Sequence, residues 1–203
     1  LGMDLAFKYR NPAMILADGI VGQMMEKVVL PPARPRRTDE QVREQCPWAA
    51  TGKHGRKHRN VITSLELDSQ EMEKNNIRGQ ETYRTICENE PRWQEYFTDD
   101  AEYLMVAFGS VARICLKAIE DARARGVKIG LLRPITLWPF PVKRVDELSR
   151  RVKGMLTVEL NAGQMIEDVK LSSECRVPVY HFGRLGGMIP TPTEILEAFN
   201  KFF

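Results

Sequence analysis

Residues 103–132 read YLMVAFGSVARICLKAIEDARARGVKIGLL, and the hydrophobic period changes twice within them. Tyr103 to Gly109 is a short apolar run closed by Gly-Ser, the pattern of a strand buried on both faces. Val111, Ile114, Cys115, Ala118, Ile119 and Ala122 then recur at spacings of three and four. They put one apolar face on a helix whose opposite face carries Arg and Glu, and Gly126 closes that helix. Val127 to Leu132 is a second strand. Strand, helix and strand make one βαβ unit, and a right-handed crossover sets its two strands parallel.

The alternation continues to the C-terminus. Helices are expected near Val142 to Val152 and from about Gln164 to Leu171, with strands at Met155 to Leu160 and Val177 to Phe182. Thr191-Pro-Thr-Glu194 is a capping box with proline at the first helical position, followed by the apolar face Ile195, Leu196, Phe199 and Phe202. Four strands and four helices in about 100 residues predict an α/β fold with three α/β/α layers and a mostly parallel sheet.

Upstream the pattern is less regular. Leu5 to Lys27 holds a strand-like NPAMILAD followed by a helix-like GIVGQMME. Residues 31–62 carry eight basic groups against three acidic ones, while 63–100 carry four against ten, a contrast hidden by the overall net charge of +3. The prolines between Pro31 and Pro47 and the basic run KHGRKHR at 53–59 predict extended or disordered chain. Residues 69–96 read as one or two linker helices interrupted at Gly79 and Pro91. The expected organisation is therefore an irregular and helical N-terminal extension, divided into 1–30 and 31–100, ahead of a compact domain at 101–203.

At 203 residues the chain is too short for a large multidomain enzyme. Its four cysteines, Cys46, Cys87, Cys115 and Cys175, form no CxxC pair, which excludes a zinc ribbon or a local iron-sulfur ligand run and points to a reducing cytoplasm. No apolar stretch approaches the ~20 residues needed to span a bilayer, so no membrane partner is expected. The first residue is Leu, and the chain is expected to be a piece of a longer protein.

Few residues carry recognisable chemistry. Phe108-Gly-Ser-Val-Ala-Arg113 leads into a helix N-terminus that could hold an anion, with Ser110 as the expected N-cap, but its single glycine matches no nucleotide fingerprint. His54 and His58 lie four apart among cations that would repel a metal. The same basic cluster could neutralise nucleic-acid phosphates, yet no aromatic interleaves it, and a solvated or partner-facing loop is the better reading. His181 reads as structural. Leu131 to Pro141 (LLRPITLWPFP) packs three prolines and two large aromatics into a turn at a strand end, which makes it either a core plug or a docking surface. Glu159 to Met165 and Gly183 to Gly187 also sit at strand ends, so three loops converge on the carboxyl edge of the sheet.

Taken together, VAFGSVAR (106–113), GLLRPITLWPFP (130–141), TVELNAGQMIEDV (157–169) and FGRLGGMIPTPTEILEAF (182–199) resemble the alpha subunit of the thiamine-diphosphate-dependent 2-oxoacid:ferredoxin oxidoreductases. The 2-ketoisovalerate type is nearest and the 2-oxoglutarate type is similar. The resemblance implies that 101–203 is a domain of the transketolase C-terminal type, that 31–100 is linker, and that 1–30 is the tail of a pyrimidine-binding domain. For the intact complex it implies oxidative decarboxylation of a 2-oxoacid to acyl-CoA and CO2. Thiamine diphosphate, Mg2+, iron-sulfur clusters and coenzyme A would be held by other chains or by domains not in this sequence, and beta, gamma and ferredoxin-like subunits would be partners, with ferredoxin as electron acceptor. No residue here is assigned a catalytic, cofactor-binding or metal-binding role. The candidate subunit-interface residues are Ser110, Arg113, Arg133, Trp138, Phe140, Asn161, Gln164, Met165 and Arg184. Competing readings are a related domain of a transketolase or of a 2-oxoacid dehydrogenase beta subunit, and a basic-loop nucleic-acid binder.

Overall fold

The computed structural model describes residues 1–53 and 55–203, which form two compact units: Leu1–Gln23 with Glu81–Phe203, and Met24–Gln80. The first unit is built on a five-stranded sheet with strand order β1-β3-β2-β4-β5. Its strands are β1 (Trp93–Tyr96), β2 (Tyr103–Val106), β3 (Ile129–Pro134), β4 (Met155–Glu159) and β5 (Val179–Gly183). β2 to β5 are parallel, as the sequence predicts, and β1 lies antiparallel against β3 with Trp93 opposite Pro134 and Tyr96 opposite Leu131.

Period-two alternation along the strands divides the core. Met105, Ala107, Leu131, Leu156 and Val158 face α4 (Gly109–Arg123) and α7 (Pro192–Phe202), meeting Val111, Cys115, Ala118, Ile119, Ile195 and Phe199. Leu104, Val106, Leu132 and Met155 face α5 (Val142–Ser149) and α6 (Met165–Ser173), meeting Val145, Leu148, Met165 and Val169. Winding runs from β2 outward to β3 and then back past β2 to β4. With right-handed crossovers this reversal sends α4 to one face and α5 and α6 to the other. Ile119 is fully buried, and truncating it to alanine would cost about 2–5 kcal/mol in lost burial and cavity. Thr191 and Glu194 form the predicted capping box on α7.

Three expectations upstream are corrected. The strand expected in NPAMILAD is irregular chain, the following helix is one 3₁₀ turn at Gly19–Gln23, and the helix in this region is α1 (Gly2–Tyr9). α1 is held by Glu90, whose carboxylate accepts from Lys8 Nζ at 2.7 Å, the Tyr9 hydroxyl at 2.6 Å and Arg92 Nη2 at 2.9 Å. Second, α3 (Ser69–Asn89) runs unbroken through Gly79, where no atom lies within 4 Å of a would-be Cβ and helix propensity alone decides. Pro91 does lie just past its end. Third, Trp93 to Tyr96 forms an edge strand rather than the tail of a linker helix. The Glu95 carboxylate on that strand grips Arg144 of α5 through two bonds of 2.6 and 2.8 Å, an attachment invisible to local periodicity.

In the second unit, α2 (Asp39–Gln45) starts at a Thr38–Gln41 capping box inside the stretch expected to be extended or disordered, and Cys46 is buried at its end.

Candidate docking edge at the carboxyl ends of the strands

Because β2 to β5 are parallel, the loops that follow them lie along one edge, and the winding reverses between β2 and β4. Open α/β sheets hold ligands at such a switch point, because flanking helix N-termini direct backbone N–H groups and partial positive charge toward it. Here α4 follows β2 and α6 follows β4, and both N-termini are occupied by carboxylates of the chain itself.

At α4 the carboxylate is that of Asp18. Its Oδ2 accepts from the Ser110 backbone N–H at 3.1 Å and from the Ser110 hydroxyl. Ser110 is therefore not the N-cap, a position held by Phe108, but the second residue of the helix and the donor to a distant cap. Gly109 adopts φ +62°, and a Cβ there would sit 3.0 Å from Asp18 Oδ2, so glycine lets the acid approach. Beside this contact lies a half-open cavity of about 280 Å³, lined by Leu16, Val21, Phe108 and the side chains of Arg113 and Arg133.

At α6 the carboxylate is that of Glu159, the last residue of β4, whose side chain is fully buried. It accepts from the backbone N–H groups of Gln164 at 3.2 Å, Met165 at 2.9 Å and Ile166 at 3.1 Å. His181 of β5 stands alongside, with Nδ1 3.4 Å from Glu159 Oε1 and 3.3 Å from Thr157 Oγ1. Gly183 is needed here too, since a Cβ would overlap the Asn161 carbonyl oxygen and crowd the His181 ring. Asp168, one turn into α6, has its carboxyl pushed up by burial and by the neighbouring Glu167 and Glu159.

The remaining candidate interface residues divide. Trp138 is 55% exposed and meets Tyr83 edge to face, with ring centroids 5.4 Å apart. Phe140 points the other way, packing onto the core beside α5 and α6 between the buried prolines 139 and 141. The loop is thus a plug at Phe140 and an outward face at Trp138. Arg133 donates through Nη1 to Gln94 Oε1 at 2.9 Å. Asn161 Oδ1 accepts from the Gly163 N–H at 2.7 Å and shapes the β4–α6 loop, on which Gln164 is exposed. Arg184 lies 3.4 Å from Glu194 Oε1. Met165, expected at a subunit contact, is 3% exposed and belongs to the core, because the first turn of α6 aims it at the sheet. Sequence reasoning missed Asp18 and Glu159. It also missed Ile135, Leu185 and Met188, large apolar side chains exposed on the loops after β3 and β5.

The residues present do not fit the cofactors that the sequence resemblance implies for an intact complex. Among the described residues no group of three or more His, Cys, Asp or Glu side chains could hold a metal ion. Cys115 is fully buried, and that burial pushes its thiol above the ordinary range. The two helix N-termini that could cradle a diphosphate are already satisfied by Asp18 and Glu159. His54 lies outside the described residues, and the described His58 is exposed. No helix among the described residues is long and apolar enough to cross a membrane.

Comparison with known proteins agrees with this architecture. Residues 101–195 match the family model described as pyruvate:ferredoxin oxidoreductase core domain II. The chain is 43% identical over 201 residues to ketoisovalerate oxidoreductase subunit VorB of Methanothermobacter thermautotrophicus, covering 98% of this chain and 54% of the relative. It is 30% identical over 219 residues to 2-oxoglutarate synthase subunit KorA of Methanothermobacter marburgensis, covering 96% of this chain and 57% of that one. The chain thus spans about half the length of these relatives. Among solved structures, the 2-oxoglutarate:ferredoxin oxidoreductase from Magnetococcus marinus superimposes with a TM-score of 0.62 at 19% identity, over 75% of this chain and 28% of that one, which supports the fold. The chain is therefore similar, along almost its whole length, to subunits of ketoisovalerate oxidoreductase and 2-oxoglutarate synthase, and its sheet region is matched by core domain II of the pyruvate:ferredoxin oxidoreductases.

Proposed function

We propose that this chain is the C-terminal, assembly-forming part of the alpha subunit of a 2-oxoacid:ferredoxin oxidoreductase, with 2-ketoisovalerate as substrate. Residues 101–203 are the docking domain, 31–100 link it to what precedes, and 1–30 are the tail of a pyrimidine-binding domain. The complex converts a 2-oxoacid and coenzyme A to acyl-CoA and CO2, and the two electrons released reduce ferredoxin. Thiamine diphosphate, Mg2+ and the iron-sulfur clusters are held by other chains or domains, and the partners are the beta, gamma and ferredoxin-like subunits in the cytoplasm.

The observation that carries this reading is that both helix N-termini at the switch point are occupied by the chain's own carboxylates, while Ile135, Trp138, Leu185 and Met188 stand exposed on the loops beside them. An edge whose donors are internally satisfied and whose loops present apolar side chains is suited to contact a protein surface rather than a phosphate. The similarity to VorB supports this choice of complex and substrate. The test is an assay of the subunit copurified with its partners. Reduction of ferredoxin that depends on 3-methyl-2-oxobutanoate and coenzyme A is expected, and reduction of NAD in its place would overturn the reading.

A further inference from the structure

The cavity at the carboxyl end of β2 is lined by two guanidinium groups, Arg113 of α4 and Arg133 of β3, and by one carboxylate, that of Asp18. Asp18 is committed, since its Oδ2 takes both the backbone N–H of Ser110 at 3.1 Å and the Ser110 hydroxyl. Arg133 is committed on one side only. Its Nη1 donates to Gln94 Oε1 at 2.9 Å, across the β1–β3 pairing that sets these two residues opposite each other. Its Nε is buried and has no hydrogen-bond partner among the described residues. A buried donor on a charged group costs stability while it is unmade, and a carboxylate that accepts from it recovers that cost with charge assistance.

The walls favour a carboxylate carried on a protein. Leu16 and Val21 at the rim are 66% and 50% exposed, and Phe108 is half-buried beside them. A free small acid would pair with the guanidinium groups and leave this apolar rim in water. An acidic side chain on a protein segment covers the rim as its carboxylate enters, and water is then excluded from the ion pair. The volume of about 280 Å³ falls below the roughly 300–1,000 Å³ of pockets that enclose a drug-sized ligand, and it suits one inserted side chain. The cavity is also continuous with the docking edge, because the exposed Ile135 and Trp138 follow Arg133 by two and five positions along the same loop.

Resting on the docking reading above, we infer that this cavity is the socket for an Asp or Glu side chain of the partner subunit. Arg133 and Arg113 hold its carboxylate, and Leu16, Val21 and Phe108 ring it. A surface without an acid at that point leaves Arg133 buried and incompletely paired, so the socket also discriminates between partners.

The experiment uses the subunit copurified with its partners. The amine introduced by Arg133→Lys, or by Arg113→Lys, is coupled to neighbouring carboxylates with a carbodiimide, and the linked peptides are identified by mass spectrometry. Linkage to an Asp or Glu of another subunit is expected. Arg133→Met and Arg113→Met should each weaken assembly by about tenfold or more. Assembly should also depend less steeply on salt in both variants than in the parent. Arg113 is exposed, so Arg113→Met keeps its melting temperature and stays informative if Arg133→Met loosens the β1–β3 edge. Linkage only to Asp18 or to other acids of this chain, linkage to a second copy, or assembly unchanged in both Met variants would overturn the inference. So would stabilisation of the isolated chain by acetate or phosphate with assembly unchanged, which would give the cavity to a small anion. If loop 135–141 gains hydrogen-exchange protection on assembly while both Met variants assemble like the parent, the socket alone fails. If that loop stays unprotected in the assembled complex, the docking reading fails with it.

Discussion

Asp18 and Ser110 are 92 positions apart in the chain, and the carboxylate of the first caps the helix that begins beside the second. This contact ties the irregular segment just after α1 to the carboxyl edge of the sheet. It also supplies the negative charge that a helix N-terminus at a switch point favours.

Replacing Asp18 with alanine should therefore act as the loss of a cap. The expected cost is about 0.5–2 kcal/mol of stability. Urea melts give the free energy. Amide exchange of residues 109–111 should accelerate more than that of β4, and equal exchange in the variant and the parent would show that the contact does not hold the helix.

Glu159 has a deeper role, since its buried carboxylate satisfies three successive N–H groups at the start of α6. Glu159→Gln keeps one acceptor but turns donors toward donors, at an expected cost of about 1–3 kcal/mol. The loss should appear as a lower denaturation midpoint with unchanged m-value. Amides 164–166 should lose protection before those of α4. An unaltered midpoint would mean that the loop orders itself without the acid.

Two carboxylates make the fold acid-sensitive in a defined window. Glu90 is held down to about 2 by the Lys8 ammonium, the Tyr9 hydroxyl and Arg92, against the opposing effect of burial. Glu95 is likewise held at about 2, first by Arg144 and then by Thr98 and Trp93. Both folded values lie below the ordinary 4.5, so each contribution is fully present above about pH 4.5 and is lost as pH falls toward 2. Stability measured between pH 6 and pH 2 should thus fall in that window, and Glu90→Gln should flatten the slope. A parallel slope in the variant would contradict the assignment.

How much of this was legible in the sequence depends on the range of the interactions. The β2–α4–β3 unit and the α7 capping box are written in local periodicity and spacing, and the structure reproduces them. Trp93 to Tyr96 was misread because four residues after a polar helix carry no period of their own. Their strand state comes from pairing with Ile129–Pro134 and from Arg144, some fifty positions away. Asp18 is one acid in an irregular stretch, and nothing near it marks Ser110 as its partner. Glu159 could have been noticed, since an acid at the end of the apolar run MLTVEL must find donors if that run is buried. In LLRPITLWPFP the pattern announced a rigid aromatic loop, but only tertiary packing separates Phe140, turned inward, from Trp138, turned outward.

That separation predicts opposite behaviour for Trp138. With one ring contact and more than half its surface exposed, Trp138→Ala should cost the chain no more than about 1 kcal/mol of folding stability. Association with the proposed beta-subunit partner should weaken by about 2 kcal/mol or more, the scale of an interface hot spot. A large fall in melting midpoint with unchanged association would return Trp138 to the core.

The carboxyl edge of the sheet, as proposed above, is a protein-docking face. Hydrogen exchange of the subunit, compared alone and assembled with its partners, tests this directly. The loops at 135–141, 160–164 and 184–190 should gain protection on assembly, while the far edge at 124–128 and 174–178 exchanges as before. Unchanged exchange at all three loops in an assembled, active complex would contradict the claim.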